Sequence, residues 1–282
     1  MQWIEWFTNP LTYQFMQRAF AAALLVGALC GIIGSYVVVR GMAFFGDALS
    51  HTILPGVALA FVFGQDLFIG GLLAALVSVV GINWLASHPR LSNDTAIGVV
   101  FVTMFALGIA IISSARSYSA DLAHILFGNL LGVELRDLYI LVGYGVVVLV
   151  VIVMFYKELL ILSFDETLLR VLRLPVANLR LLLLLLIALT IVASLQTVGI
   201  SLVLAMLITP AATAQILTQR LHLMMIWAAG LGAGSGVIGL YVSYYLNFSS
   251  GAAIVLTSST IFIVVLIGQS LFNRISARQH AP

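Results

Sequence analysis

Asp47 and His51 stand four residues apart in the segment Gly41-Met-Ala-Phe-Phe-Gly-Asp-Ala-Leu-Ser-His-Thr-Ile-Leu-Pro-Gly56, between long apolar runs. On a helix this spacing places both side chains on one face. A carboxylate inside hydrocarbon is costly and marks a pathway or a binding site. A carboxylate beside an imidazole suits divalent ions such as Mn2+, Fe2+ and Zn2+, so the pair points to a metal ion crossing here. The plain alternative is a buried, hydrogen-bonded pair that fixes helix packing. Pro55 follows His51 by four residues and has no N–H to give the His51 carbonyl. That frees an oxygen beside the pair and can kink the helix. Pro210, in Leu207-Ile-Thr-Pro-Ala-Ala-Thr-Ala214, does the same to Met206.

The elements that must hold these residues follow from composition. The chain has 282 residues, 62% hydrophobic and 8% charged, whereas soluble domains carry about a quarter charged residues. It therefore reads as an all-α polytopic membrane protein, one transmembrane domain over residues 1–282. A span needs about 20 apolar residues, which gives nine helices: 15–39, 42–64, 69–87, 94–115, 137–156, 178–197, 198–217, 222–246 and 252–273. The sixth and seventh divide around Thr197-Val-Gly199. With the N-terminus outside, nine basic residues lie on the cytoplasmic side (Arg40, Arg90, Lys157, Arg170, Arg173, Arg180, Arg220, Arg274, Arg278) and three outside (Arg18, Arg116, Arg136). The positive-inside rule selects this orientation. Trp3, Trp6, Phe7 and Tyr13 read as an interfacial aromatic segment rather than a cleavable signal.

Two loops stand out. Residues 118–133, on the outer side, read as a short interfacial or re-entrant helix that serves packing or, on the sharper reading, a gate, with His124 as a candidate outer metal contact. On the inner side, 163–175 reads as a short amphipathic helix with Leu168, Leu169 and Leu172 apolar and Arg170 and Arg173 charged. Asp165 and Glu166 at its start favour the helix dipole. Such a helix either lies on the lipid surface or docks into a cytoplasmic partner. Small residues such as Gly46, Gly56 and Gly98 permit close helix approach. Asn83, Gln196, Gln215 and Asn247 read as interhelical hydrogen-bond partners, and the lone Cys30 as a small core residue. No Gly-Lys-Ser/Thr loop exists for ATP, and the lack of cysteine-rich metal motifs disfavours copper(I) as cargo.

Several motifs in order along the chain carry a resemblance. Arg40-Gly-Met, Gly46-Asp-Ala-Leu-Ser-His51 and Leu54-Pro-Gly-Val-Ala-Leu59 are followed by Asn93-Asp-Thr-Ala-Ile-Gly98 and His124-Ile-Leu-Phe-Gly-Asn129. Ser163-Phe-Asp-Glu166, Leu207-Ile-Thr-Pro-Ala-Ala-Thr-Ala214 and Ile254-Val-Leu-Thr-Ser258 complete the set. Together they resemble the permease family of manganese/zinc/iron ABC importers, nearer its manganese branch. The resemblance implies a type II ABC-importer-like permease in the bacterial plasma (inner) membrane. It implies a second permease copy, most simply a homodimer, cytoplasmic ATPase subunits and an extracytoplasmic metal-binding protein. It places Asp47 and His51 on the metal path at the dimer axis. It also makes the segment with Phe164, Asp165, Glu166, Leu168 and Leu169 the coupling region to the ATPase.

On this reading the chain is not itself an enzyme and binds no cofactor permanently. The divalent ion is its transported substrate, and nucleic acid plays no part. One Asp/His pair is a thin shell for an ion, and two copies across a twofold axis would supply two oxygens and two nitrogens. Three alternatives remain: a cobalamin or siderophore-type ABC permease, a secondary metal transporter driven by an ion gradient, and a membrane scaffold in which the pair is structural.

Overall fold

The computed structural model describes residues 9–114 and 130–279. Apart from 3-10 turns at Pro10–Thr12 and Leu130–Gly132, every regular element among them is an α-helix. In chain order these are α1 (Gln14–Val39), α2 (Ala43–Thr52), α3 (Leu54–Val62), α4 (Leu67–Ala86), α5 (Asn93–Ser114) and α6 (Leu135–Met154). There follow α7 (Tyr156–Phe164), α8 (Glu166–Val171), α9 (Val176–Val198), α10 (Ile200–Leu217), α11 (Leu221–Leu246) and α12 (Ser250–Gln279). Among the described residues nine stretches are long and apolar enough to cross a membrane, and each coincides with an expected span; α2 and α3 together form the second. Helix is the form required, because hydrocarbon offers the backbone no hydrogen-bond partner outside the segment.

Three expectations about breaks and loops are refined. The second span is interrupted at Ile53, two residues before Pro55. At Pro210, by contrast, α10 continues without interruption. The inner segment 163–175 is not one helix. Asp165, in an extended conformation, divides α7 from the six-residue α8, and the helix at Tyr156–Phe164 was not anticipated. Residues 118–129, with His124, and the aromatic residues Trp3, Trp6 and Phe7 lie outside the described residues.

The helices form two compact units. The first comprises α1, residues 205–217 of α10, α11 and α12. Here α1 and α11 run antiparallel with their backbones in contact: a methyl group on Gly27 would lie 2.6 Å from the Gly232 carbonyl carbon. Phe20 and Tyr241 extend the contact, with ring centroids 5.1 Å apart. In a bilayer, where apolar burial gives helices no preference for each other over lipid, such close approach is a main source of association.

The second unit holds α2 to α9 and the first residues of α10. The α2–α3 span is its inner element. In the most apolar stretch of that span 67% of residues are buried, against 17% in α5 and in α6. It packs on α4, α5 and α9. α3 meets α4 through Gly56 and Gly70, where a methyl group on either residue would overlap the other's backbone carbonyl.

Gly199 joins α9 to α10 alone, at φ 82° and ψ 164°, a region open essentially to glycine. The expected division at Thr197-Val-Gly199 thus falls on the one residue type able to make it. Gly199→Ala should cost about 1–3 kcal/mol in backbone strain. Thermal unfolding of the purified protein in detergent checks this, and an unchanged midpoint would show that the corner tolerates a side chain.

Candidate functional site

α2 presents two distinct faces. Phe45, Ala48, Leu49 and Thr52, at helical spacing, are completely buried and fix the helix against its neighbours. Ser50 and Thr52 spend their buried hydroxyls on their own helix, donating to the carbonyls of Gly46 and Leu49 at 3.0 Å each. The other face carries Phe44, Asp47 and His51. As the spacing predicts, the carboxylate and imidazole meet on it, with Asp47 Oδ1 3.8 Å from His51 Nε2.

That geometry differs from a packing pair in two respects. At 3.8 Å the atoms stand beyond hydrogen-bond distance. The side chains also remain 49% (Asp47) and 36% (His51) exposed. Two donor atoms are thus held near each other on an open face without being spent on each other.

An aromatic wall flanks the pair. His51 lies 5.9 Å from Phe101 and 5.7 Å from Phe105, centroid to centroid, the latter edge to face. The two phenylalanines stack at 5.9 Å, and Phe44 meets Phe101 edge-on. These contacts limit the rotation of the imidazole and set apolar ring surface against one side of it. Reasoning from sequence missed Phe101 and Phe105. Their i, i+4 spacing puts them on one face of α5, but phenylalanines in a span look like lipid-facing residues.

The cytoplasmic segment is built around one carboxylate. Asp165, expected near a coupling surface, is the N-cap of α8: its Oδ1 accepts from the Thr167 N–H at 2.8 Å and the Leu168 N–H at 3.1 Å. Glu166 faces inward. Arg40 Nη2 donates to its Oε1 and Arg180 Nη2 to its Oε2, each at 2.8 Å. Arg40 also donates through Nη1 to the Leu162 carbonyl. Burial alone would raise the Glu166 carboxyl, but the Arg40 hydrogen bond and the Arg180 charge outweigh it and hold the group below its ordinary value.

The apolar residues of the segment divide differently from expectation. Leu169 is completely buried, whereas Phe164 and Leu168 are 61% and 44% exposed. Val171 and Leu172 share that exposure. Leu169 is therefore an internal packing residue and does not stand beside Leu168 as an outward anchor. The exposed apolar surface is made by Phe164, Leu168, Val171 and Leu172.

Comparison with known proteins identifies the family. A family model described as the ABC 3 transport family matches residues 12–269. The manganese transport system membrane protein MntC of Listeria monocytogenes is 46% identical over 257 residues, 91% of each chain. The protein of the same name from Halalkalibacterium halodurans is 45% identical, over 91% of this chain and 88% of the relative. Among solved structures, a chain of PsaBC from Streptococcus pneumoniae in complex with Fab superposes with a TM-score of 0.81 at 40% identity, over 93% of this chain and 94% of that one.

The Glu166 geometry carries a pH signature. Because its carboxyl is held low in the folded chain, the stabilisation is complete above the ordinary glutamate value and is lost as pH falls through the lowered one. Glu166→Gln should cost about 1–3 kcal/mol near neutral pH, by leaving two arginines short of their acceptor. The gap in melting temperature between wild type and variant should close on acidification. A gap that is absent at pH 7, or that widens in acid, would contradict the arrangement.

Proposed function

Because the chain belongs to the ABC 3 transport family, we propose that it is the membrane-spanning subunit through which an ATP-driven importer passes manganese. It is a multi-pass permease of the bacterial plasma membrane. The observation that carries the cargo assignment is the Asp47–His51 pair, two unspent donors on an exposed face of an intramembrane helix. A divalent ion bound by nitrogen and oxygen at about 2.0–2.2 Å would span two atoms 3.8 Å apart. The relatives named for manganese transport support manganese in particular. The same donors would hold Zn2+ at least as tightly. Selectivity then resides largely in the external binding protein or in the shape of the assembled site.

One chain leaves the shell incomplete, since among the described residues no three His, Cys, Asp or Glu residues cluster to hold an ion. A second copy facing the first across a twofold axis would bring the donors to four. Four open-sided donors are enough to select a divalent ion while still releasing it. A bulky chelate would have no use for them, and a gradient-driven carrier would have no use for a docking segment.

The chain has no ATP-binding loop, so hydrolysis belongs to a partner on the cytoplasmic side. Phe164, Leu168, Val171 and Leu172 form the apolar patch on which that partner would seat, in the manner of a short helix entering a groove. Asp165 and Leu169 hold the patch in shape from behind.

Asp47→Asn or His51→Ala should reduce manganese uptake at least tenfold while the ATPase still co-purifies. Normal uptake by either variant at normal expression would remove the pair from the path. Phe164→Asp combined with Leu168→Asp should release the ATPase or abolish ATP-driven uptake. Wild-type transport by a stable complex of that double variant would exclude the patch as the seat.

A further inference from the structure

We infer that Glu166, with Arg40 and Arg180, is the mechanical link between the ATPase-docking segment and the span that carries Asp47 and His51. The inference rests on the docking reading above and identifies what transmits its movement.

Three separate elements converge on a single carboxylate. Glu166 is the first residue of α8, immediately behind the exposed patch. Arg40 occupies the corner between α1 and α2, three positions before the first residue of the metal-bearing helix. Arg180 lies near the start of α9, which packs along α2 and α4. Each carboxylate oxygen is taken by a different arginine at 2.8 Å, so neither guanidinium can be released without exposing a charge. The Arg40 side chain is only 9% exposed and that of Arg180 18%, which leaves little room for water to replace the lost partner.

Arg40 has a second anchor. Its other amino group holds the Leu162 carbonyl, one of the last-turn carbonyls of α7 that lack a helical donor. The α1–α2 corner is thereby pinned to both sides of the α7–α8 junction. Gly41, next in the chain, turns the backbone at φ +65°, and only Gly41 and Met42 separate Arg40 from the first residue of α2. A displacement of α8 therefore carries the start of α2 with it. Asp47 and His51 lie about one and two turns further along the same helix. This is a coupling between two sites through a physically continuous path. Arg40, Glu166 and Arg180 are positioning residues in it, since none lies at the Asp47–His51 pair.

The test uses the complete importer in proteoliposomes, with permease, ATPase and external binding protein, and reads ATP hydrolysed per manganese ion moved. Two variants are compared with wild type. Glu166→Gln removes the charge, and Arg40→Lys keeps the charge but cannot grip two acceptors in a fixed fork. Both should retain the ATPase on purification and hydrolyse ATP, yet consume at least fivefold more ATP per ion. A merely structural role would lower the melting temperature without changing that ratio. A wild-type ratio in either variant overturns the inference, as does loss of the ATPase from the Arg40→Lys complex, which would place the clamp in docking itself. If the Phe164/Leu168 variant keeps its ATPase and transports normally, the docking reading fails instead. If that variant behaves as expected while Glu166→Gln and Arg40→Lys couple normally, only the link fails.

Discussion

The structure depends on the cost of placing a carboxylate within hydrocarbon. An aspartate at the centre of a membrane helix costs about 2.5–3.5 kcal/mol even on insertion-based scales. Asp47 is in a span, with half its side chain uncovered. Its face must meet water, an ion or another protein, and never lipid alone. The opposite face of α2 is correspondingly closed, with Phe45, Ala48, Leu49 and Thr52 fully buried. The helix is held by one side so that the other stays available. Phe101 and Phe105 set apolar rings beside the imidazole.

The same physics operates on the cytoplasmic side with the opposite outcome. There a carboxylate is fully engaged, and it joins three elements through two arginines. Asp47 and His51 leave their donor atoms exposed and unbonded to each other, as the proposed passage of an ion requires. Glu166 has its oxygens filled because the segment must hold its place. The pair sits on α2, short and interrupted at Ile53 ahead of Pro55, and Glu166 reaches the corner before α2 through Arg40.

Much of this was legible in the sequence. Nine spans follow from apolar length alone, and the Asp47/His51 face from helical periodicity. Gly199 marked the corner between α9 and α10 because few other residues tolerate its backbone. The rest was hidden for identifiable reasons. Lys157 and Glu158 look like the polar end of a span and concealed the helix at Tyr156–Phe164. α8 is under two turns long, too short for periodicity to decide whether Leu168 or Leu169 faces inward. The Arg40–Glu166 bond joins residues 126 positions apart, a separation at which sequence spacing carries no information. Asn247, read as an interhelical hydrogen-bond partner, is the left-handed residue that ends α11, a role that asparagine fills by tolerating positive φ.

The central claim is that manganese passes between Asp47 and His51 of two facing copies. Anomalous scattering at the manganese edge, from crystals of the assembled importer grown with Mn2+, locates the ion directly. The account predicts a peak on the twofold axis within about 2.0–2.3 Å of an Asp47 oxygen and a His51 ring nitrogen from each copy. A manganese peak elsewhere in the membrane region, with Asp47 and His51 hydrogen-bonded to each other and no ion beside them, would contradict it.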